Sequence, residues 1–110
     1  MTEKEYNDVI GRIAEHYGVK AQTLQLCEEC GELIQAVSKL TRCVTETRIS
    51  ALAEEIADVR IMMSQLMQLH GIPEAEVVAL VEEKMKRQLT RIIAEEKMKR
   101  QLARTKEETR

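Results

Sequence analysis

Apolar side chains recur at intervals of three and four residues along most of this 110-residue chain, as on one face of an α-helix. Ala, Glu, Lys, Leu and Arg supply about half of the residues, a share typical of long helices. Phe and Trp are absent, and there are only four Gly and one Pro. Because strands favour aromatic residues and tight hairpins favour Gly and Pro, this composition argues against a β-sandwich or barrel. The sequence therefore predicts an all-α protein with an aliphatic core.

Capping residues define the first two helices. Thr2-x-x-Glu5 has the form of a capping box, and Gly18 is the expected end of the first helix. Tyr6 and Ile10 belong to the apolar series that should form its buried face. The second helix is predicted from about residue 21 to about residue 40.

Residues 41–49 are rich in Thr and Arg and lack helical periodicity, so they are predicted to form a loop. Ser50 is the expected N-cap of a third helix, which should end at His70-Gly71. A fourth helix should begin near Pro73 or Glu74. The overall expectation is a four-helix bundle.

The fourth helix contains an internal repeat. The segment EEKMKRQL occupies residues 82–89 and again residues 95–102. A shift of 13 residues turns a helix by about 220°, so the two copies cannot present the same face of one continuous helix. We therefore expect residues 1–93 to form the helical domain and residues 94–110 to form a C-terminal helical extension or loose tail.

Charge is unevenly distributed along the chain. Residues 1–81 carry 7 basic and 13 acidic side chains, whereas residues 82–110 carry 10 basic and 6 acidic ones. The net charge of −2 argues against strong nonspecific binding to nucleic acid.

The chain has three cysteines, and an odd number argues against a set of disulfides. They are expected to be small apolar helix residues rather than disulfide partners or zinc ligands.

No apolar run reaches the roughly 18 residues that cross a bilayer. The first eight residues, MTEKEYND, are polar and acidic, unlike a secretory signal. A cytoplasmic protein without a membrane partner is therefore expected.

Two acid-x-x-acid pairs interrupt otherwise apolar helix faces. Glu29 and Glu32 lie in line with apolar residues of the second helix, and Glu55 and Asp58 with those of the third. If these helices pack antiparallel, four carboxylates converge, and their repulsion favours a bound cation. Oxygen ligands alone favour Mg²⁺, with Mn²⁺ also possible.

An alternative follows from the same residues. The acids could instead form ion pairs with Arg42, Arg48 or Arg60. The chain would then be a helical scaffold or regulatory bundle without enzymatic activity, and its basic end would be the partner-binding element.

The segments EECGELIQAVSKL and LAEEIADVRIMMSQL resemble the MazG-like family of all-α nucleoside triphosphate pyrophosphohydrolases. The family's pattern, E-E-x-x-E followed by E-x-x-D, occupies residues 28–32 and 55–58, and the similarity covers roughly residues 20–92. The resemblance implies a four-helix protomer in a homodimer or homotetramer. It also implies Mg²⁺-dependent cleavage of a nucleotide between the α and β phosphates, giving a monophosphate and pyrophosphate.

Carried over by position, the resemblance implies that Glu29, Glu32, Glu55 and Asp58 hold the metal. No P-loop and no Ser–His or Cys–His arrangement is evident, so water is the expected nucleophile. Glu28 or Glu29 could help to deprotonate it, and the residues do not decide between them.

A triphosphate also needs cationic groups, and Lys84, Arg87 and Arg91 at the basic start of the last segment are the expected phosphate-binding residues. The alternative for these three residues is a solvated helix face.

The third helix has a second apolar face, formed by Ile56, Met63 and Met67, which favours a homo-oligomer. Phosphoribosyl-ATP pyrophosphohydrolase, an enzyme of the same superfamily, is a second enzymatic interpretation.

Overall fold

The computed structural model describes residues 1–109, and over that range it contains four α-helices and no β-strand. The helices are α1 (Glu3–Tyr17), α2 (Val19–Arg42), α3 (Glu46–Leu69) and α4 (Glu74–Glu108). The all-α prediction is confirmed. The chain divides after Pro73 into two compact units, α1 to α3 and then α4, and each is described by itself.

The predicted capping box opens α1. The Thr2 hydroxyl oxygen accepts a hydrogen bond from the Glu5 backbone N–H (3.1 Å), and a Glu5 carboxylate oxygen accepts one from the Thr2 N–H (2.9 Å). Gly18 ends the helix with a φ of 86°, a conformation that favours glycine, and its N–H donates to the Ala14 carbonyl (2.8 Å). The capping box and the end of this helix are confirmed, whereas the predicted buried face is only partly right, since Ile10 is buried and Tyr6 is exposed.

The start predicted for α3 is wrong. Thr45, not Ser50, is the N-cap, and its hydroxyl oxygen accepts a hydrogen bond from the Arg48 backbone N–H (3.2 Å). The helix therefore begins at Glu46, and the connection after α2 is only residues 43–45. Thr, like Ser, is a favourable N-cap residue.

Arg48 explains why the earlier start is used. Its guanidinium Nη1 donates hydrogen bonds to the backbone carbonyls of Lys39 (2.9 Å) and Cys43 (3.0 Å). The last carbonyls of a helix have no partner within that helix, and a cation there also complements the helix dipole. Arg48 makes these contacts from the first turn of α3, so it links the end of α2 to the start of α3.

We expect Thr45→Ala to lower the free energy of unfolding by about 1 kcal/mol, because the substitution removes the α3 cap. Ser50→Ala should change it by no more than about 0.5 kcal/mol, since residue 50 lies inside the helix, where Ala is favourable. Urea denaturation at one fixed protein concentration measures both. A larger loss from Ser50→Ala would contradict the cap assignment.

The first unit has a small core where α3 packs against both α1 and α2. Its buried apolar residues come from all three helices: Ile10, Ala14, Ala36, Val59 and Met62. α1 is also tied to α3 by polar contacts. The hydroxyl groups of Tyr6 and Ser64 are 2.7 Å apart, and the Gln68 amide donates to the Asn7 carbonyl (3.0 Å).

One buried polar pair joins α2 to α3. The Gln22 side-chain Nε2 donates to Gln65 Oε1 (2.6 Å), and the two side chains are 6% and 1% exposed. The Gln65 amide also donates to the Met62 sulfur (3.5 Å). These hydrogen bonds offset the cost of burying the two amides in an apolar interior.

The α2–α3 contacts follow one antiparallel register. Gln22 contacts Gln65 and Lys39 contacts Arg48, and the residue numbers of each pair have the same sum. The same register sets Glu32 opposite Glu55 and Glu29 at the level of Asp58. The two acidic motifs therefore meet in the middle of the interface.

Gln65→Leu should lower the free energy of unfolding by about 1–3 kcal/mol, because it leaves the buried Gln22 amide without its partner. The double variant Gln22→Leu/Gln65→Leu should cost less than the sum of the two single changes, since no amide is then left unpaired. A double-mutant cycle by urea denaturation measures this coupling. Exactly additive losses would show that the hydrogen bond contributes nothing.

The second unit is one continuous helix of 35 residues. Both copies of EEKMKRQL lie within it, and no residue of α4 in the described part of the chain is buried. Residues 94–108 are helical rather than loose, while the boundary at residue 93 stays a prediction. None of the described helices is long and apolar enough to span a membrane.

Candidate metal centre

Three glutamates converge where α2 faces α3. One carboxylate oxygen each from Glu29, Glu32 and Glu55 lies within 4.8 Å of the other two. Glu29 and Glu32 are one helical turn apart on α2, and the antiparallel register brings Glu55 of α3 to them. We call these three residues the acidic cluster.

Two oxygen atoms of the acidic cluster are buried without a partner. Glu29 and Glu55 are half-buried, and Oε2 of each is inaccessible to solvent and has no hydrogen-bond partner among residues 1–109. An ionised oxygen in that position costs free energy, because the water it loses is not replaced by a donor. A cation bound by the acidic cluster would take the place of the lost water.

The other oxygen of Glu29 is satisfied. The side-chain amide of Gln25, one turn earlier on α2, donates from Nε2 to Glu29 Oε1 (3.0 Å). Gln25 is not among the site residues predicted from the sequence. The signal was present, since Gln and Glu four residues apart on a helix are neighbours that can form a hydrogen bond.

Negative charge in the acidic cluster changes the protonation of Glu32. The carboxylate of Glu29, and next that of Glu55, raise the pKa of Glu32 above its ordinary value of 4.5. Partial loss of solvent around Glu32 raises its pKa further. A proton on Glu32 therefore relieves the repulsion that a bound cation would otherwise relieve.

The structure does not bring every predicted residue into this cluster. Asp58 lies at the level of Glu29 but is exposed, and it is not one of the three converging carboxylates. Glu28 is exposed beside Glu29. The roles predicted for Asp58 in metal binding and for Glu28 in catalysis stay predictions.

Arginine does not neutralise the acidic cluster in the described structure. Over residues 1–109, an ion pair joins Arg87 to Glu83 (3.3 Å), and neither Arg42 nor Arg60 forms one. Arg48 instead donates to backbone carbonyls. The ion-paired alternative considered from the sequence therefore lacks its partners.

The predicted phosphate-binding residues lie together on α4. Lys84, Arg87 and Arg91 line one open pocket with Gln88, as expected for residues three, four and seven positions apart on a helix. Arg87 forms its ion pair with Glu83 while both side chains remain more than half exposed, so the pair contributes little to stability. We call this surface the basic face.

The protein is therefore all-α and has a candidate divalent-cation site. The site consists of three converging carboxylates, and two of their oxygens have no partner in the described residues. The model of the MazG nucleotide pyrophosphohydrolase domain matches residues 18–93, and the chain belongs to this family. Members of the family generally depend on a divalent metal. Comparison with curated proteins and with solved structures gave no match.

The match confirms the resemblance that the two acidic motifs indicated. It begins at Gly18, between α1 and α2, and ends at residue 93 inside α4. The second EEKMKRQL copy lies outside the matched range.

We expect metal-free protein to lose stability as the pH rises above 4.5 through the raised pKa of Glu32. The folded state binds the proton more tightly than the unfolded state, so the stabilising proton is lost in that window. Glu32→Gln should reduce this slope and raise the melting temperature at neutral pH. Thermal unfolding in chelator between pH 4 and pH 8 measures both effects.

Glu54→Gln is the matched control, since Glu54 is an exposed glutamate of α3 outside the acidic cluster. It should leave the pH slope unchanged. Equal slopes for Glu32→Gln and the unmodified protein would contradict the repulsion described here.

Proposed function

We propose that this protein is a Mg²⁺-dependent nucleotide pyrophosphohydrolase. It cleaves a (deoxy)nucleoside triphosphate between the α and β phosphates and releases a nucleoside monophosphate and pyrophosphate. The family match supports the reaction class. The observation that carries the proposal is the pair of buried, unpartnered oxygens of Glu29 and Glu55, within the described residues, in the acidic cluster.

The donor set of the acidic cluster suits a hard cation. Glu29, Glu32 and Glu55 offer only carboxylate oxygens, which favour Mg²⁺ or Mn²⁺ over softer metals. We assign Asp58 as a fourth ligand because the register sets it at the level of Glu29. A bound Mg²⁺ would neutralise phosphate oxygens and stabilise the departing pyrophosphate.

The glutamates at the start of the first motif supply the base. The water oxygen bonds to one of the two phosphorus atoms, the bond from that phosphorus to the bridging oxygen breaks, and a carboxylate accepts a proton from the water. Glu28 and Glu29 are the two candidates. Glu28 is exposed, whereas Glu29 already accepts a hydrogen bond from Gln25 at Oε1.

The basic face of α4 is proposed to bind phosphate. Lys84, Arg87 and Arg91 present three positive charges on one side of the helix, and such groups form charge-assisted hydrogen bonds to phosphate oxygens. This assignment rests on the second unit alone. Inorganic phosphate or pyrophosphate binding, compared between the unmodified protein and Arg91→Gln, would distinguish it from a solvated face.

A homodimer or homotetramer is proposed as the working form. The first unit leaves Ile34 68%, Ile56 43% and Met63 46% exposed in the single chain. Soluble monomers rarely expose large contiguous apolar surfaces, and a second copy would cover these residues. Sedimentation equilibrium would give the number of chains.

Glu55→Gln should lower the rate of Mg²⁺-dependent pyrophosphate release by about 100-fold or more, because even the outer partners of metal ligands contribute about 10–100-fold. The substitution removes charge and keeps shape, so helicity by circular dichroism should not change. The assay uses a panel of nucleoside and deoxynucleoside triphosphates together with phosphoribosyl-ATP.

Glu54→Gln is the control for this experiment too and should retain full activity. Normal hydrolysis by Glu55→Gln would contradict the site assignment. Release from phosphoribosyl-ATP alone would favour the second enzymatic interpretation. No release from any member of the panel would favour a non-enzymatic helical bundle.

A further inference from the structure

We infer that Gln25 is a positioning residue that orients the Glu29 carboxylate for cation binding. The inference rests on the proposed function, since it assigns a role within the same site. Gln25 lies outside both acidic motifs, one helical turn before Glu29.

The hydrogen bond divides the two oxygens of Glu29 into different roles. Gln25 Nε2 donates to Oε1 at 3.0 Å, and both side chains are half-buried. Oε2 is inaccessible to solvent and lacks a partner in the described part of the chain. One oxygen is thus held by the protein, and the other is left for a cation.

This division matters because a glutamate side chain is flexible. Without a fixed partner, rotation of the terminal carboxylate exchanges the two oxygens, and ordering it costs conformational entropy when a metal binds. Groups that hydrogen-bond to a ligating carboxylate fix its orientation in advance, and their loss typically costs about 10–100-fold in metal affinity or activity.

The chemical type of residue 25 fits this role. A neutral amide donates a hydrogen bond but leaves the negative charge of the acidic cluster intact. A lysine at the same position would pair with Glu29 and cancel charge that attracts the cation. Gln25 supplies the donor for Glu29, whereas the amide of Gln22, about one turn earlier on α2, donates to Gln65.

The test compares Gln25→Met with Gln35→Met. Both substitutions replace an amide of α2 by an apolar side chain of similar length, but Gln35 is exposed and outside the acidic cluster. Binding of Mn²⁺ is measured by isothermal titration calorimetry, and thermal unfolding of the metal-free proteins by circular dichroism. Gln25→Met should raise the Kd for Mn²⁺ by about 10-fold or more, while Gln35→Met should leave it unchanged.

The outcomes separate this inference from the proposed function. If the unmodified protein does not bind Mn²⁺, both are overturned. If the unmodified protein and Gln25→Met bind Mn²⁺ equally, only the role of Gln25 is overturned. A lower melting temperature for Gln25→Met with unchanged affinity would show a purely structural role. Should Gln25→Met not fold, Gln25→Ala gives the same comparison with a residue that favours helix.

Discussion

The first unit has to hold Glu29, Glu32 and Glu55 close together although their carboxylates repel one another. Helices α2 and α3 bring three carboxylates within 4.8 Å and leave two oxygens buried without a partner in the described residues. The interface is nevertheless held in one register by contacts on either side of the cluster, Gln22 with Gln65 and Arg48 with the end of α2. These flanking contacts hold the three acids close together against their mutual repulsion.

Most of the fold could be predicted because local chemistry decides it. The capping box at Thr2 and the end of α1 at Gly18 are as predicted, since each depends on residues within one helical turn. The end of α3 at His70-Gly71 is predicted for the same reason. The predicted start of α3 was wrong, because the contact that favours the observed start is made by Arg48 across the connection to α2. Local patterns do not contain contacts between helices.

The acidic cluster was predictable for a different reason. A carboxylate that interrupts an apolar helix face has to be neutralised, so Glu29, Glu32 and Glu55 stood out in the sequence. Asp58 belongs to the same pattern, yet it is exposed and outside the three converging groups. The spacing of residues along a helix gives only an approximate angle for each side chain around the helix axis, so it does not decide which acids converge. The buried amides of Gln22 and Gln65 could not be predicted, because the hydrogen bond between them joins two different helices.

The second copy of EEKMKRQL continues the same helix as the first. Its backbone extends the helical hydrogen bonds without a new turn, and no residue of α4 in the described range is buried. The second copy therefore belongs to a helix that contributes no buried residue in the described range. Because 13 residues are not a whole number of turns, the same eight letters are displayed in a new direction. The two copies therefore give one helix two surfaces of the same residue types, and a substitution in one copy leaves the other surface unchanged.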